Sequence, residues 1–240
     1  TVDEVALRAG TMNGRLDRLE RSINRDKQFV GDASHELRVP LTRLRSELEL
    51  AQSAQSDDLI ESVLEEVESM QRMVEQLLFL ARLDEGNLAL HTTPVDLDDV
   101  VFDESRRLQS RGRREVDVSR VSAAHVTGDR GQLTRAVRNM LDNAERHARS
   151  RIDVSLHEID GMARLEVTDD GPGIPSGAEE RIFERFGRAD EARTDEDGGT
   201  GLGLSIAEGI ASRHGGSLVL AQTSPRGSTF ALTIPLNGER

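Results

Sequence analysis

The chain contains no cysteine, no tryptophan and no tyrosine, and only six phenylalanines in 240 residues. Without cysteine there are no disulfides, no thiolate metal sites and no thiol nucleophile, which mildly favours a reducing compartment. Without tryptophan or tyrosine most platforms for stacking nucleic-acid bases are gone. A formal charge of −13 repels a phosphate backbone, so no nucleic-acid partner is expected. No uninterrupted apolar run approaches the roughly 18–20 residues that cross a bilayer, and no signal peptide is visible. The chain begins at Thr1 within a charged amphipathic segment, so it is expected to be a fragment whose membrane part precedes it. What is present suffices for two modest domains.

The first domain is written in heptad-like steps. From Leu16 the apolar residues advance by three and four through Leu19, Ile23, Val30, Ala33, Leu37, Leu41, Leu44, Leu48 and Ala51, with Asp26 in one seam position. A polar break, QSAQSDD at 52–58, separates this helix from a second series, Ile60, Val63, Val67, Met70, Val74, Leu77 and Ala81. Burying those side chains is worth on the order of 10–20 kcal/mol gross at ~1.5–3 each. One antiparallel helix cannot cover them together with Leu64, Leu78 and Phe79, so a four-helix bundle built from two chains is expected.

Gly86 and Asn87 end the second helix and Pro94 opens a stretch of mixed periodicity, which puts a domain boundary near residue 90. Beyond it the pattern predicts helices at about 98–109, 130–147 and 202–214. Strands are expected near 115–118, 125–127, 151–158, 163–169, 217–222 and 228–234, with Asp160-Gly161 as a hairpin turn. The expected class is α+β, with helices on one face of a mixed sheet.

Within the first helix, FVGDASHELRVPLTRL at 29–44 places His35 next to Glu36 and five residues before Pro40. Pro40 has no N–H for the Glu36 carbonyl, so the helix is free to bend one turn beyond the histidine. Glu36 is placed to orient or deprotonate the imidazole. A surface histidine on a bent helix reads the same way from this segment alone.

Four elements of the second domain bear on nucleotide chemistry. NMLDNAERHA puts Asn139 and Asn143 four apart on one helix face, and an asparagine carbonyl is a hard oxygen suited to Mg²⁺. Arg146 and His147 follow one turn on. VTDDGPGIP puts Asp169 at a strand end, where a carboxylate can accept the amino group of adenine, with Gly171 and Gly173 allowing close approach. GGTGLGLSIAEGIASRHGG brings Gly199, Gly201 and Gly203 ahead of a helix N-terminus, a setting for phosphate. PRGSTFALTIP carries Gly227, Ser228 and Thr229 into the last strand. Taken singly, an asparagine pair tying loops, an Asp-Gly turn and a glycine-rich loop are common structural features. Between the second and third elements, RIFERFGRADEARTDEDGG at 181–199 suggests a short anchored helix and then a mobile acidic lid.

In this order the motifs resemble those of the sensor histidine kinases of two-component systems, over nearly the whole chain. The resemblance implies a multidomain protein: residues 1–25 ending a HAMP-like linker and 26–88 forming an all-α dimeric four-helix-bundle hairpin. Residues 92–240 would form an α+β two-layer sandwich, the Bergerat-type ATP-binding domain of GHKL ATPases. It implies His35 as phosphoacceptor, Glu36 as its acid/base partner, Asn143 as Mg²⁺ ligand with Asn139 beside it, and Asp169 as the adenine acceptor. Arg146 and Arg188 would face phosphates, with His147, Thr200, Leu202 and Thr229 at the nucleotide and glycines 171, 173, 199, 201 and 203 shaping its loops. ATP and Mg²⁺ are then the cofactors, and a second copy and a response-regulator receiver domain the partners. The location implied is the cytoplasmic portion of a bacterial inner-membrane receptor. Phosphoryl transfer needs in-line positioning and charge neutralisation, which this residue set provides.

Two positions depart from the family's pattern. Gly187 stands where an aromatic is usual, which implies looser docking of the lid. Val39 stands where a threonine or asparagine usually positions the water that dephosphorylates the partner, so weak phosphatase activity is expected. A GHKL ATPase of another type would lack the HELRVPL hairpin, and a scaffold with a degenerate nucleotide site would not keep Asn139, Asn143 and Asp169.

Overall fold

The structure, a computed structural model, describes residues 57–84, 89–187 and 200–236, with further helical positions at 33, 37, 40–42 and 44. By backbone proximity the chain divides into Thr1–Leu77 and Leu78–Arg240.

In the first unit, Ala33, Leu37, Pro40, Leu41, Thr42 and Leu44 are all helical. Helix α1, Asp57–Asp84, carries the second apolar series at the expected place. In a single chain that series is only partly covered, with Val63, Met70, Leu77 and Ala81 half-buried and Val67 and Val74 exposed. Leu64, Val67, Val74 and Leu78 are 37–58% exposed, while Met73, one step aside, is buried. No described helix is long and apolar enough to cross a membrane. The linker segment 1–25 and the turn at 52–56 lie outside the described residues.

The last turns of α1 pack within the second unit. Phe79 lies under the Arg135 guanidinium, 3.9 Å from the ring centroid, a cation–π contact. Leu83 fits against the bare Cα of Gly209, where a Cβ would meet its Cδ2 at 3.1 Å.

The second unit opens with β1 (Thr93–Asp96), α2 (Leu97–Ser110), β2 (Glu115–Val121), β3 (His125–Gly128) and α3 (Arg130–His147). It continues with β4 (Arg151–Ile159), β5 (Met162–Asp169), a 3₁₀ turn (Arg181–Phe183), α4 (Gly203–Arg213), β6 (Ser217–Ser224) and β7 (Gly227–Pro235). Five strands form one sheet in the order β2-β4-β5-β7-β6, with β2 parallel to β4 and the other pairs antiparallel. β1 and β3 make a separate antiparallel ribbon. The Asp160-Gly161 turn has φ of 50° and 75°, the paired positive values of a type I′ hairpin.

Three helices cover one face of the sheet, and the period of two sorts each strand into an inner and an outer side. On β5, Ala163, Leu165, Val167 and Asp169 are buried, opposite Ile234, Leu232 and Phe230 of β7. The helices answer with Leu97, Leu108, Leu133, Met140, Leu141, Ile206 and Ile210, all nearly inaccessible. Each is worth roughly 1.5–3 kcal/mol of apolar burial. The 3₁₀ turn is held by buried Ile182 and by Phe183 edge-on to Phe230 at 6.2 Å. It stands where the sequence predicts a short anchored helix.

A charged strap ties α2 to α3. Glu104, 5% exposed, accepts from Arg107 Nε and from Arg138 Nε and Nη2 at 2.6–2.9 Å. Arg107 and Arg111 reach on to Asp142, and Arg111 to Glu145. Burial alone would raise the Glu104 pKa, yet the two guanidiniums hold it below the ordinary value.

Candidate functional site

α3 starts sharply because Asp129 caps it: Oδ1 accepts the Gln132 N–H at 3.0 Å. Its apolar stripe of Leu133, Ala136, Val137, Met140, Leu141 and Ala144 faces the sheet, which leaves Asn139 and Asn143 half-buried on an adjoining face. The Nδ2 of Asn139 is buried with no hydrogen-bond partner. A buried donor left unpaired costs free energy, so this amide fits an acceptor on a ligand.

Two loops flank that face. At the C-terminal end of α3, Gly171 lies between the His147 carbonyl and the Asp169 carboxylate, and its N–H donates to Asp169 Oδ1 at 2.8 Å. Nearer the middle of the helix, Gly203 opens α4 beside Asn139, where a Cβ on the glycine would lie only 3.8 Å from the asparagine's own. No side chain caps α4, so its first amides remain directed at whatever lies before the helix. Buried Leu202 precedes it, and Thr200 Oγ1 accepts the Leu202 N–H at 3.4 Å. The stem is tight here: Phe186 has φ of 59°, and a Cβ on Gly201 would lie 2.7 Å from its Cα.

Asp169 is 4% exposed at the end of β5. Burial pushes its carboxyl pKa up, and the Gly171 and Ser228 amides together with His147 pull back only part of the rise. A buried carboxylate with one oxygen on Gly171 suits a ligand that donates a hydrogen bond, as an exocyclic amine does. Its neighbour Asp170 points elsewhere, accepting from the Arg149 and Ser150 amides and the Ser150 hydroxyl. Slight burial raises its pKa, but those bonds hold it far below the carboxylate range and fasten the turn between α3 and β4.

The structure thus brings Asn139, Asn143, Asp169, Gly171, Leu202 and Gly203 around one face of α3, with Gly173, Thr200 and Gly201 in the loops. Arg146 and His147 lie at the end of the helix. His35, Glu36, Val39, Arg188, Gly199 and the rest of the acidic segment 188–199 lie outside the described residues. Among the described residues no cluster of three or more His, Cys, Asp or Glu is placed to hold a metal. A metal at this site would have to share asparagine oxygens with phosphate and water, and Mg²⁺ accepts that donor set.

Thr229 requires a correction. It pairs with Thr168, and their hydroxyls lie 2.9 Å apart on the outer side of the sheet, away from Asp169. Ser228, buried and one residue earlier, faces the site and gives its amide to Asp169. Alternation along a strand flips the face with every residue, and nothing in the PRGSTF segment fixes its phase. At Gly187, a Cβ would collide with the Arg181 carbonyl, so the path of the chain there admits no aromatic.

Residues 128–238 match the family described as histidine kinase-, DNA gyrase B- and HSP90-like ATPases, and residues 25–86 match the His Kinase A phospho-acceptor domain. The signal transduction histidine-protein kinase/phosphatase MprB of Mycolicibacterium smegmatis is 38% identical over 94% of the chain and 48% of its own length. A solved structure of a mycobacterial sensor histidine kinase MprB aligns with a TM-score of 0.53 at 36% identity, over 61% of this chain and 98% of that one. The Acinetobacter baumannii histidine kinase AdeS, at 24% identity, shares the fold with a TM-score of 0.72 over 85% of this chain and 98% of that one. The chain spans about half the length of the curated relatives it matches.

Proposed function

Because the chain belongs to the sensor histidine kinases, we propose that it moves the γ-phosphoryl group of ATP onto His35 and from there onto an aspartate of a response regulator. The observation that carries the reading is Asp169, a buried carboxylate at a strand end beside the C-terminal end of α3, the helix on which the Asn139 amide is buried without a partner. Asp169 accepts the adenine amino group. Asn139 and Asn143 hold the far side of the nucleotide, and the uncapped N-terminus of α4 takes the phosphates. Mg²⁺, when bound through Asn143, supplies charge neutralisation across the phosphate oxygens. Arg146 and Arg188 add positive charge there, and His147, next to Gly171 and Asp169, lies at the base end of the nucleotide.

His35 is the nucleophile in this scheme: its neutral ring nitrogen forms the N–P bond as the bond to ADP breaks, and Glu36 supports the positive ring. Residues 26–88 make the hairpin that presents it and 92–240 the ATP-binding domain. Two chains pair through α1, where Val67 and Val74 of its apolar series and flanking Leu64 and Leu78 are exposed in one copy. ATP and response regulators are cytoplasmic, so the chain works on that face of a membrane receptor.

Incubation with γ-labelled ATP and Mg²⁺ tests the assignment. Acid-labile, base-stable label is expected on the wild type and none on His35→Gln, with nucleotide binding unchanged in the variant. Nucleotide binding without label on the wild type would instead establish a signalling scaffold. The relatives are named kinase/phosphatase, and on that second activity this chain should be weak, because Val39 cannot hydrogen-bond an attacking water. Val39→Thr is expected to speed dephosphorylation of the regulator about tenfold or more; equal rates would sink that point.

A further inference from the structure

The register of β6 contains an irregularity with a consequence for the nucleotide loop. Leu218 and Leu220 pair with Leu232 and Phe230 on the inner side of the sheet, but the ladder then shifts, so that Gln222 pairs with Thr229 and Thr223 with Ser228. In a regular ladder Gln222 would stand opposite Ser228 and Thr223 opposite Gly227. The extra residue is a β-bulge, which reverses the phase of the strand and turns Thr223 inward. Bulges that re-aim one side chain are common beside functional sites.

What Thr223 meets there is the Asp-Gly-Pro-Gly-Ile loop. The Ile174 N–H donates to Thr223 Oγ1 at 2.8 Å, and that hydroxyl lies 3.2 Å from Ser228 Oγ. Gly173, with φ of 76°, presses directly on the strand, where any Cβ would collide with the Ser224 carbonyl. The other end of the loop is fixed by the Gly171 N–H on Asp169, and Asp169 also takes the Ser228 amide. Both fastenings therefore converge on Ser228. The first sets the carboxylate, and the second sets the distance of the loop's far end from it.

We infer that Thr223 is a positioning residue for nucleotide binding: through Ile174 it holds the glycine loop at the spacing from Asp169 that the base requires. Thr223 touches no phosphate and takes no part in transfer. The inference rests on the reading of the site as a nucleotide site, and its effect belongs in affinity rather than in the chemical step.

The test uses the full chain with Thr223→Val, which keeps the β-branched shape and removes the hydroxyl, and Thr223→Ser, which restores it. Binding of Mg²⁺ with a non-hydrolysable ATP analogue is read by calorimetry, and KM and kcat for autophosphorylation are read separately. Thr223→Val should weaken binding and raise KM about three- to twentyfold, with kcat within twofold. Thr223→Ser should return both to within twofold of wild type. Wild-type affinity in Thr223→Val, a loss confined to kcat, or no rescue by serine would overturn the inference. A readout independent of any variant is hydrogen exchange at the Ile174 amide of the nucleotide-free protein, expected to be slow and overturning the inference if as fast as an exposed loop amide. A wild type that fails to bind the analogue at all would overturn the functional reading itself, an outcome distinct from these.

Discussion

Asp169 and Asp170 are adjacent carboxylates with opposite thermodynamic roles. The pKa of Asp169 lies above the ordinary 3.8. The folded protein therefore holds its proton longer than the unfolded chain, and its contribution is complete below pH 3.8 and lost as pH rises through the raised value. At neutral pH the ionised group costs stability. Asp169→Asn is expected to raise the melting temperature of the nucleotide-free protein by a few degrees at pH 7, while weakening ATP binding about 10- to 100-fold. The binding loss follows because the amide oxygen is retained by the Gly171 N–H, leaving an NH₂ against the adenine amine. Asp170 runs the other way: its lowered pKa makes its contribution present above 3.8 and lost on acidification below it. Asp170→Asn should lower the melting temperature at pH 7, and the difference from wild type should shrink as the pH falls below about 3. A thermal scan across pH for both variants checks the two signs together. Asp169 is legible in the sequence because a strand-end carboxylate followed by glycines is written in adjacent letters. The direction of Thr229 is not, because the phase of a strand is decided by its partners, here a bulge on β6 and Thr168 on β5.

Among the elements, α3 carries the site and the strap from α2 fixes it. Removing the acid from a fully buried ion pair costs about 3–5 kcal/mol. Arg138 is 49% exposed and recovers hydration when freed, so Glu104→Ala should cost about 2–3 kcal/mol in denaturant unfolding. Glu104→Gln, which keeps an acceptor, should cost less. Asp129→Ala should remove about 1 kcal/mol through the lost cap. The boundaries of α3 follow from its periodicity and its acidic cap, and the expected span of 130–147 coincides with the observed helix. β1 leaves no such trace. It is four residues long, includes Pro94, and exists because β3 pairs with it from about thirty residues along the chain. The division at Leu77/Leu78 is equally hidden, since the packing of Phe79 on Arg135 and of Leu83 on Gly209 joins the end of one helix to residues far away in sequence.

For the molecule as a whole, four of the seven exposed large apolar residues among the described ones lie on α1: Leu64, Val67, Val74 and Leu78. Val67 and Val74, one heptad apart, are 37% and 42% exposed. Replacing both with aspartate should convert a dimer to a monomer in sedimentation, with nucleotide affinity retained because Leu78–Arg240 forms its own unit. A dimer that survives the double substitution would place the pairing surface elsewhere. The stem at Phe186 and Gly201 bears on a different property of the whole chain. Backbone meets backbone there, with room for no side chain at position 201: a Cβ would lie 2.7 Å from the Phe186 Cα. A residue other than glycine at 201 would have to move the Phe186 backbone itself, so this one letter of the sequence is tied to the path of the chain at a distant one and cannot be rewritten alone.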